Sequence, residues 1–240
     1  MNSRLEREEI LVKNIFNNIK AYFVSINRYK TATTQESIFA VLDTETTGLN
    51  VNEGHRIVSI GATKIKNLKI TNEILDELIN PERQISEPSI KIHHITQEQV
   101  QNKPVLKELD EKIYNFLENT VLVGHNLKFD IKFIIRSAPY TTIAHRVKNI
   151  VTIDTIYLAA GIYPHFKSYE LSFLCENLKI QTKDQTRHSA IGDSVITARL
   201  FLHLLEEASK KNINTIGGIL HLCQQGKQIQ YLMKDFNKIH

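Results

Sequence analysis

The sequence predicts an α/β fold, a mixed sheet of about five strands flanked by helices, with one added helix at the N-terminus. Three observations predict it. Short β-rich runs fill residues 38–79, segments of helical spacing alternate with brief apolar runs from residue 106 onward, and no repeat or low-complexity tract interrupts them. The 240 residues, 42% hydrophobic and 23% charged, are enough for one good core plus appendages.

Val12, Ile15, Phe16, Ile19, Tyr22, Phe23 and Ile26 share one face of a helix running from about Leu5 to Ile26. That face must pack on something, and covering its own domain is the expected use, with docking on a partner as the alternative. Small polar residues from Thr31 to Glu36 then read as a linker, so residues 1–36 form the first unit. Strands are expected over Ile38–Leu42, Arg56–Ile65 and Leu68–Ile79, with a Lys66-Asn67 turn joining the last two into a meander. A helix over Leu106–Leu117 leads into a buried strand at Val121–Val123, followed by a helix from Leu127 to about Arg136. A strand at Ile150–Ile153, helices over Asp154–Ala160 and Tyr169–Leu178, and a long helix from Ala190 to about Glu207 complete a principal domain of residues 37–209. Beyond Lys211 the patterning weakens, with Gly217-Gly218 and a short amphipathic stretch through Leu220, Leu222, Tyr231 and Met233, which makes residues 210–240 a C-terminal extension.

Composition narrows the possibilities. Thirty basic against 26 acidic residues leave a net charge of +4, and the pI near 8.9 favours polyanionic partners without demanding them. Cys175 and Cys223 are too few and too far apart for a disulfide framework or a cysteine-rich metal site. They read as buried, unreactive thiols in a reducing cytoplasm. The apolar runs are broken within about ten residues by Lys, Asn or Glu, and Met1 to Glu9 is charged, so neither a membrane span nor secretion is expected.

Three short segments carry the chemistry. In Val41-Leu42-Asp43-Thr44-Glu45-Thr46-Thr47-Gly48-Leu49, two carboxylates stand at i and i+2 at the end of an apolar strand, hence on one face of it. Two like charges losing water together are costly unless a cation offsets them, and hard oxygen ligands suit Mg²⁺ or Mn²⁺ rather than zinc. Taken alone, the pair also reads as a strand end facing solvent. In Val123-Gly124-His125-Asn126-Leu127-Lys128-Phe129-Asp130, an Asp falls on the first turn of a helix, where an ordinary dipole contact would also place it. In Arg187-His188-Ser189-Ala190-Ile191-Gly192-Asp193, an Asp sits within an otherwise apolar helix and needs a partner in the core, while His188 lies on the loop before it. Together, Asp43, Glu45, Asp130 and Asp193 roughly neutralise two divalent ions. With His188 as a base near neutral pH, they are the parts needed for two-metal hydrolysis of a phosphodiester.

These segments resemble the DEDDh, or DnaQ-like, exonucleases, a family that includes the epsilon proofreading subunit of bacterial DNA polymerase III. The likeness covers about Ile38 to Glu207 and rests on Asp43-x-Glu45 before Thr-Thr-Gly, Asn126-x-x-Phe129-Asp130 and His188-x-x-x-x-Asp193. The resemblance implies a ribonuclease-H-like fold, two Mg²⁺ or Mn²⁺ ions, and release of 5′-mononucleotides from a 3′ end. A sister group has Tyr four residues before the last Asp, where this chain has Ser189. The segment Ile92-His93-His94-Ile95-Thr96 looks like the family's I-H-x-I-T element near the terminal nucleotide, whereas Asp154 in Ile153-Asp154-Thr155 reads as a helix start.

Further site residues follow from the same likeness. Thr46, Gly48 and Leu49 are expected to line the terminal nucleotide, Leu49 against the base or else in the core. Asn126 belongs to the same substrate-binding set; His93 is expected at a phosphate or sugar, and Phe129 at a base or, more simply, packed under its helix. The substrate expected is a single-stranded DNA 3′ end, with RNA as the enzymatic alternative. An interaction module tethered to a DNA polymerase or sliding clamp is the reading of another class. Gln230-x-x-Met233-x-x-Phe236 loosely resembles a clamp-binding peptide.

Overall fold

In the computed structural model, which describes residues 30–239 and their side chains as far as 232, the first strand β1 (Phe39–Thr46) is apolar on both faces over its first half. Phe39, Ala40, Val41 and Leu42 are all buried, so the strand has to be covered on both sides, which places it in the middle of a sheet. The five strands run in the order β3-β2-β1-β4-β5. Strands β2 (Ile57–Lys66) and β3 (Lys69–Leu78) form the antiparallel meander on one side of β1. Strands β4 (Val121–Gly124) and β5 (Thr152–Asp154) pair in parallel on the other. The mixed sheet with flanking helices matches the fold expected from the sequence.

Nine helices cover the sheet among the described residues: α1 (Glu87–His93), α2 (Gln97–Val100), α3 (Asp110–Leu117), α4 (Leu127–Ser137), α5 (Thr142–Asn149), α6 (Thr155–Ile162), α7 (Leu171–Asn177), α8 (Ala190–Lys210) and α9 (Ile216–Ile239). The sheet separates two hydrophobic cores. Phe39 and Val41 point into one, with Leu158 of α6, Leu200, Phe201 and Leu204 of α8, and Ile216, Ile219 and Leu222 of α9. Ala40 and Leu42 point into the other, with Ile113 and Leu117 of α3, Phe133 and Ile134 of α4, and Ile143 and Val147 of α5.

Several boundaries differ from expectation. β1 does not stop at Leu42; it stays paired with β2 through Thr46, since backbone ladders do not depend on apolar side chains. β5 keeps only three residues. Helices α1 and α5, unforeseen, are too short to show a periodicity and are set by their caps, Ser86 accepting from the Ser89 amide and Thr141 from the Ala144 amide. The weakly patterned tail is one 24-residue helix. Gly217, Gly218 and Gly226 lower its intrinsic propensity, and burial of its first two turns in the core outweighs them. The stretch read as a linker is tied down. Thr33 bridges to Thr215, the Thr34 amide donates to the Asn214 carbonyl at 2.8 Å, and the Ile216 amide donates to the Ala32 carbonyl at 2.9 Å.

The helix expected over Leu5–Ile26 lies outside the described residues, as do the side chains of Met233 and Phe236. Among the described residues no helix is long and apolar enough to cross a membrane. Cys175 is buried and Cys223 half-buried, and both are free. Burial pushes their thiols up to about 11 and about 12, so both are unreactive near neutral pH.

Candidate active site

Beyond Leu42 the alternation of β1 continues with different chemistry. Asp43 and Glu45 carry on the face of Phe39 and Val41, beneath α8, and Thr44 carries on the face of Ala40 and Leu42, beneath α4. Helix α8 runs antiparallel to β1 over the first core. Phe201 meets Phe39 edge to face with ring centroids 4.9 Å apart. The helix rises about 12 Å from Asp193 to Phe201, and the strand about 13 Å from Phe39 to Asp43. The aromatic contact at one end therefore sets Asp193 over Asp43 at the other. Carboxylate oxygens of Asp43, Glu45 and Asp193 all lie within 4.8 Å of one another.

Close approach of α8 to the sheet depends on Gly61, the partner of Asp43 in β2. A Cβ there would sit 2.2 Å from the backbone of Ala190 and Ile191. The first turn of α8 can thus lie directly on the sheet beside Asp43. A glycine inside the apolar run Ser59-Ile60-Gly61-Ala62 was the sequence signal for this contact.

Asp130 arrives from the other face. It is buried on the first turn of α4, and its Oδ1 accepts from Thr44 Oγ1 at 2.6 Å. The start of α4 is fixed by Asp154, whose carboxylate accepts from the amides of Asn126 and Leu127 at 3.1 and 3.0 Å. The same carboxylate caps α6 by accepting from Ile156, so Asp154 begins a helix as expected and also braces the corner that aims Asp130. His125, next to this corner, bonds through Nδ1 to Thr155 Oγ1 at 2.9 Å, and burial holds its pKa down near 4, neutral at pH 7.

The cluster is electrostatically unhappy without a cation. Asp43 and Glu45 are crowded by protein yet still reached by solvent. Burial pushes the Asp43 carboxyl well above its ordinary range, and the charges of Asp130, Glu45 and Asp193 push it further. Glu45 is pushed up to about 7 by burial and then by Asp193 and Asp130. Burial also raises Asp130, against the Thr44 hydrogen bond, and raises Asp193, against Arg187 and His188. An all-oxygen donor set that resists ionisation when empty is what a hard divalent cation stabilises, so these residues fit a metal centre.

His188 lies on the exposed loop before α8, in the left-handed conformation (φ 57°). Its amide donates to Asp193 Oδ2 at 3.3 Å, which holds residue 188 beside the cluster. Arg187 was not foreseen. Its Nη1 donates to Asp193 Oδ1 at 2.6 Å.

Thr46, Thr47, Gly48 and Leu49 form a loop at the end of β1. Thr46 Oγ1 donates to the Gly48 carbonyl at 2.8 Å, and Thr47 Oγ1 bonds His55 Nδ1 at 2.9 Å. A Cβ at Gly48 would fall 2.3 Å from the His55 ring, so His55 is the floor that shapes this loop; nothing in its sequence context signalled that. Leu49 is 83% exposed, which rules out the core reading. His93 is buried. Its Nδ1 accepts from the Ile95 amide at 3.0 Å, which assigns the proton to Nε2, an atom with no hydrogen-bond partner. The nearby Thr46 carbonyl favours a proton there, but burial dominates and lowers the pKa of the ring. Asn126 is exposed in the left-handed conformation at the start of α4. Phe129 packs on Phe133, centroids 4.6 Å apart, against the second core, the plainer of its two expected roles.

The architecture has known counterparts. The exonuclease family model matches residues 40–201. A DNA polymerase III subunit epsilon-like protein of Rhodobacter capsulatus is 36% identical over 201 residues, 83% of this chain; the chain spans only 28% of that protein. DNA polymerase III subunit epsilon of Rickettsia prowazekii is 32% identical over 81% of this chain and 86% of its own length. Among solved structures, exonuclease X in complex with 5′ overhanging duplex DNA aligns with a TM-score of 0.56 and 26% identity, over 71% of this chain and 93% of that one. Escherichia coli exonuclease I in complex with a dA16 oligonucleotide shares the fold, with a TM-score of 0.59 at 17% identity over 72% and 42% of the two chains. The chain belongs to the exonuclease family, in its DnaQ-like branch, and is a 3′→5′ exonuclease.

Proposed function

We propose that this protein removes nucleotides one at a time from single-stranded DNA 3′ ends, releasing 5′-mononucleotides, as a proofreading or repair exonuclease. The observation that carries the reading is the convergence of Asp43, Glu45 and Asp193 within 4.8 Å, with Asp130 alongside. Asp43, Glu45, Asp130 and Asp193 would hold two divalent ions, Mg²⁺ or Mn²⁺, which would supply an activated water and offset charge on the leaving 3′ oxygen. An imidazole nitrogen of His188 takes the proton of the attacking water from the exposed loop beside the cluster. The loop from Thr46 to Leu49 receives the terminal nucleotide, its exposed Leu49 side chain against the base. His93 Nε2 supplies a buried, unpaired donor beside that loop, and Asn126 an exposed amide at the start of α4.

DNA rather than RNA is supported by relatives named as DNA polymerase III subunits and by the DNA bound to exonuclease X. The same names support a DNA polymerase III as partner. The test is a panel of 5′-labelled DNA and RNA oligonucleotides with matched and mismatched 3′ termini, assayed with Mg²⁺, with Mn²⁺ and in EDTA. Metal-dependent shortening of DNA from its 3′ end is expected, with His188→Ala slower by about 10²- to 10⁴-fold. Full activity in EDTA would overturn the mechanism, and faster turnover of RNA would overturn the substrate.

A further inference from the structure

We propose that Arg187 sets the metal affinity of the site: its guanidinium is the counter-charge of the empty carboxylate cluster and has to release Asp193 when cations enter. This rests on the reading of the cluster as a metal centre. Both oxygens of Asp193 are engaged by protein donors, Oδ1 by Arg187 Nη1 at 2.6 Å and Oδ2 by the His188 amide at 3.3 Å. A dication approaching Asp193 therefore meets a fixed positive charge on the same carboxylate. Coulomb repulsion between a guanidinium and divalent ions around one buried carboxyl opposes their sharing Asp193.

The guanidinium has somewhere to go. On its other side lies a cavity of about 400 Å³ lined by Ser172, Cys175, Glu176, Ile180, Thr182 and Arg187 itself. Arg187 Nη2 already donates to Ser172 Oγ at 3.3 Å, and Glu176, an exposed carboxylate, lines the same cavity. Rotation of the Arg187 side chain away from Asp193 would turn its charge toward Glu176, which lines the same cavity. The arginine therefore conserves ion pairing whether the cluster is empty or loaded, and it lowers metal affinity by making each cation compete for Asp193.

The experiment is Mn²⁺ titration of the full chain without nucleic acid, by calorimetry or by loss of the free-ion paramagnetic resonance signal. Arg187→Gln is expected to bind Mn²⁺ about 10-fold more tightly than the parent, equivalent to about 1.4 kcal/mol. Arg187→Lys should fall between the two, because a lysine keeps the charge without the planar fork. Glu176→Gln is expected to bind about 2- to 3-fold more weakly, since the displaced guanidinium loses its acceptor. Thermal unfolding in saturating Mn²⁺ checks that each variant is folded. Unchanged or weaker binding by Arg187→Gln, with Mn²⁺ bound normally by the parent, would overturn the role of Arg187 alone. No Mn²⁺ binding by the parent would sink the metal centre itself.

Discussion

Residues 39–42 and 43–46 belong to one strand, share its ladder with β2 and differ in everything else. The first four bury Phe, Ala, Val and Leu on two faces and join the two cores. The next four set Asp43 and Glu45 on one face and Thr44 on the other, where they meet Asp193 and Asp130 from helices on opposite sides of the sheet. The apolar half stabilises the fold and positions the polar half. The polar half costs stability, because like charges crowd together and each loses water. The difference teaches that the site is held by contacts made one turn of helix or more away from it, above all Phe39 on Phe201.

The largest effect that would break this division is in the polar half. Asp43→Asn is expected to lower metal-dependent hydrolysis by at least about 10³-fold, some 4 kcal/mol of transition-state stabilisation. The same substitution removes one charge from a repelling cluster, so in EDTA the variant should melt no lower than the parent. Activity and thermal melting of one preparation check both halves of the statement; a variant inactive because it is unfolded would contradict it. In the apolar half, Phe39→Ala should cost about 3–5 kcal/mol of stability by leaving a cavity against Phe201. Mn²⁺ affinity measured well below its melting point should then weaken as Asp193 loses its alignment. Undiminished affinity would show that something other than this contact aligns α8.

The sequence made the two halves legible to different degrees. Strand alternation and the three acidic segments, taken together and with their likeness to a known family, anticipated that Asp43, Glu45, Asp130 and Asp193 meet; each segment alone had an ordinary reading. Gly61 was visible as a glycine inside a strand, but the helix it admits was not, since that contact joins residues far apart in the chain. His55 and Arg187 were ordinary polar residues until the fold set them under Gly48 and against Asp193. Helix α9 stayed hidden for the opposite reason: its glycines argue against a helix locally, and only burial of Ile216, Ile219 and Leu222 decides otherwise.

The metal-free protein should also show an unusual pH dependence that sharpens the contrast. A carboxyl whose folded pKa exceeds its unfolded value binds more protons in the native state, so stability falls as pH rises through that interval. For Glu45 the interval runs from about 4.5 to about 7, and the raised pKa values of Asp43 and Asp193 act in the same direction. In EDTA, unfolding free energy should therefore decline from pH 5 to pH 8 by roughly 2–3 kcal/mol, or on the order of 5–10 °C in Tm. Saturating Mg²⁺ should flatten the decline. A rising or flat profile in EDTA would show that the cluster is not strained by its own charge.

The smallest effect expected concerns Thr44, the one polar residue on the α4 face that touches a carboxylate. Its hydroxyl donates to Asp130 at 2.6 Å, a short bond to a group that burial otherwise keeps protonated. Thr44→Val preserves shape and removes the donor, so Asp130 should ionise at higher pH and present its charge to a cation less readily. Mn²⁺ affinity at pH 7 is expected to fall by about 10-fold, as for other groups that orient a metal ligand. The loss should shrink at pH 8.5, where Asp130 ionises without help, and Thr44→Ser should restore affinity at both pH values. A loss that stays the same at pH 8.5 would assign Thr44 a packing role and leave the orientation of Asp130 to Asp154 and the corner it braces.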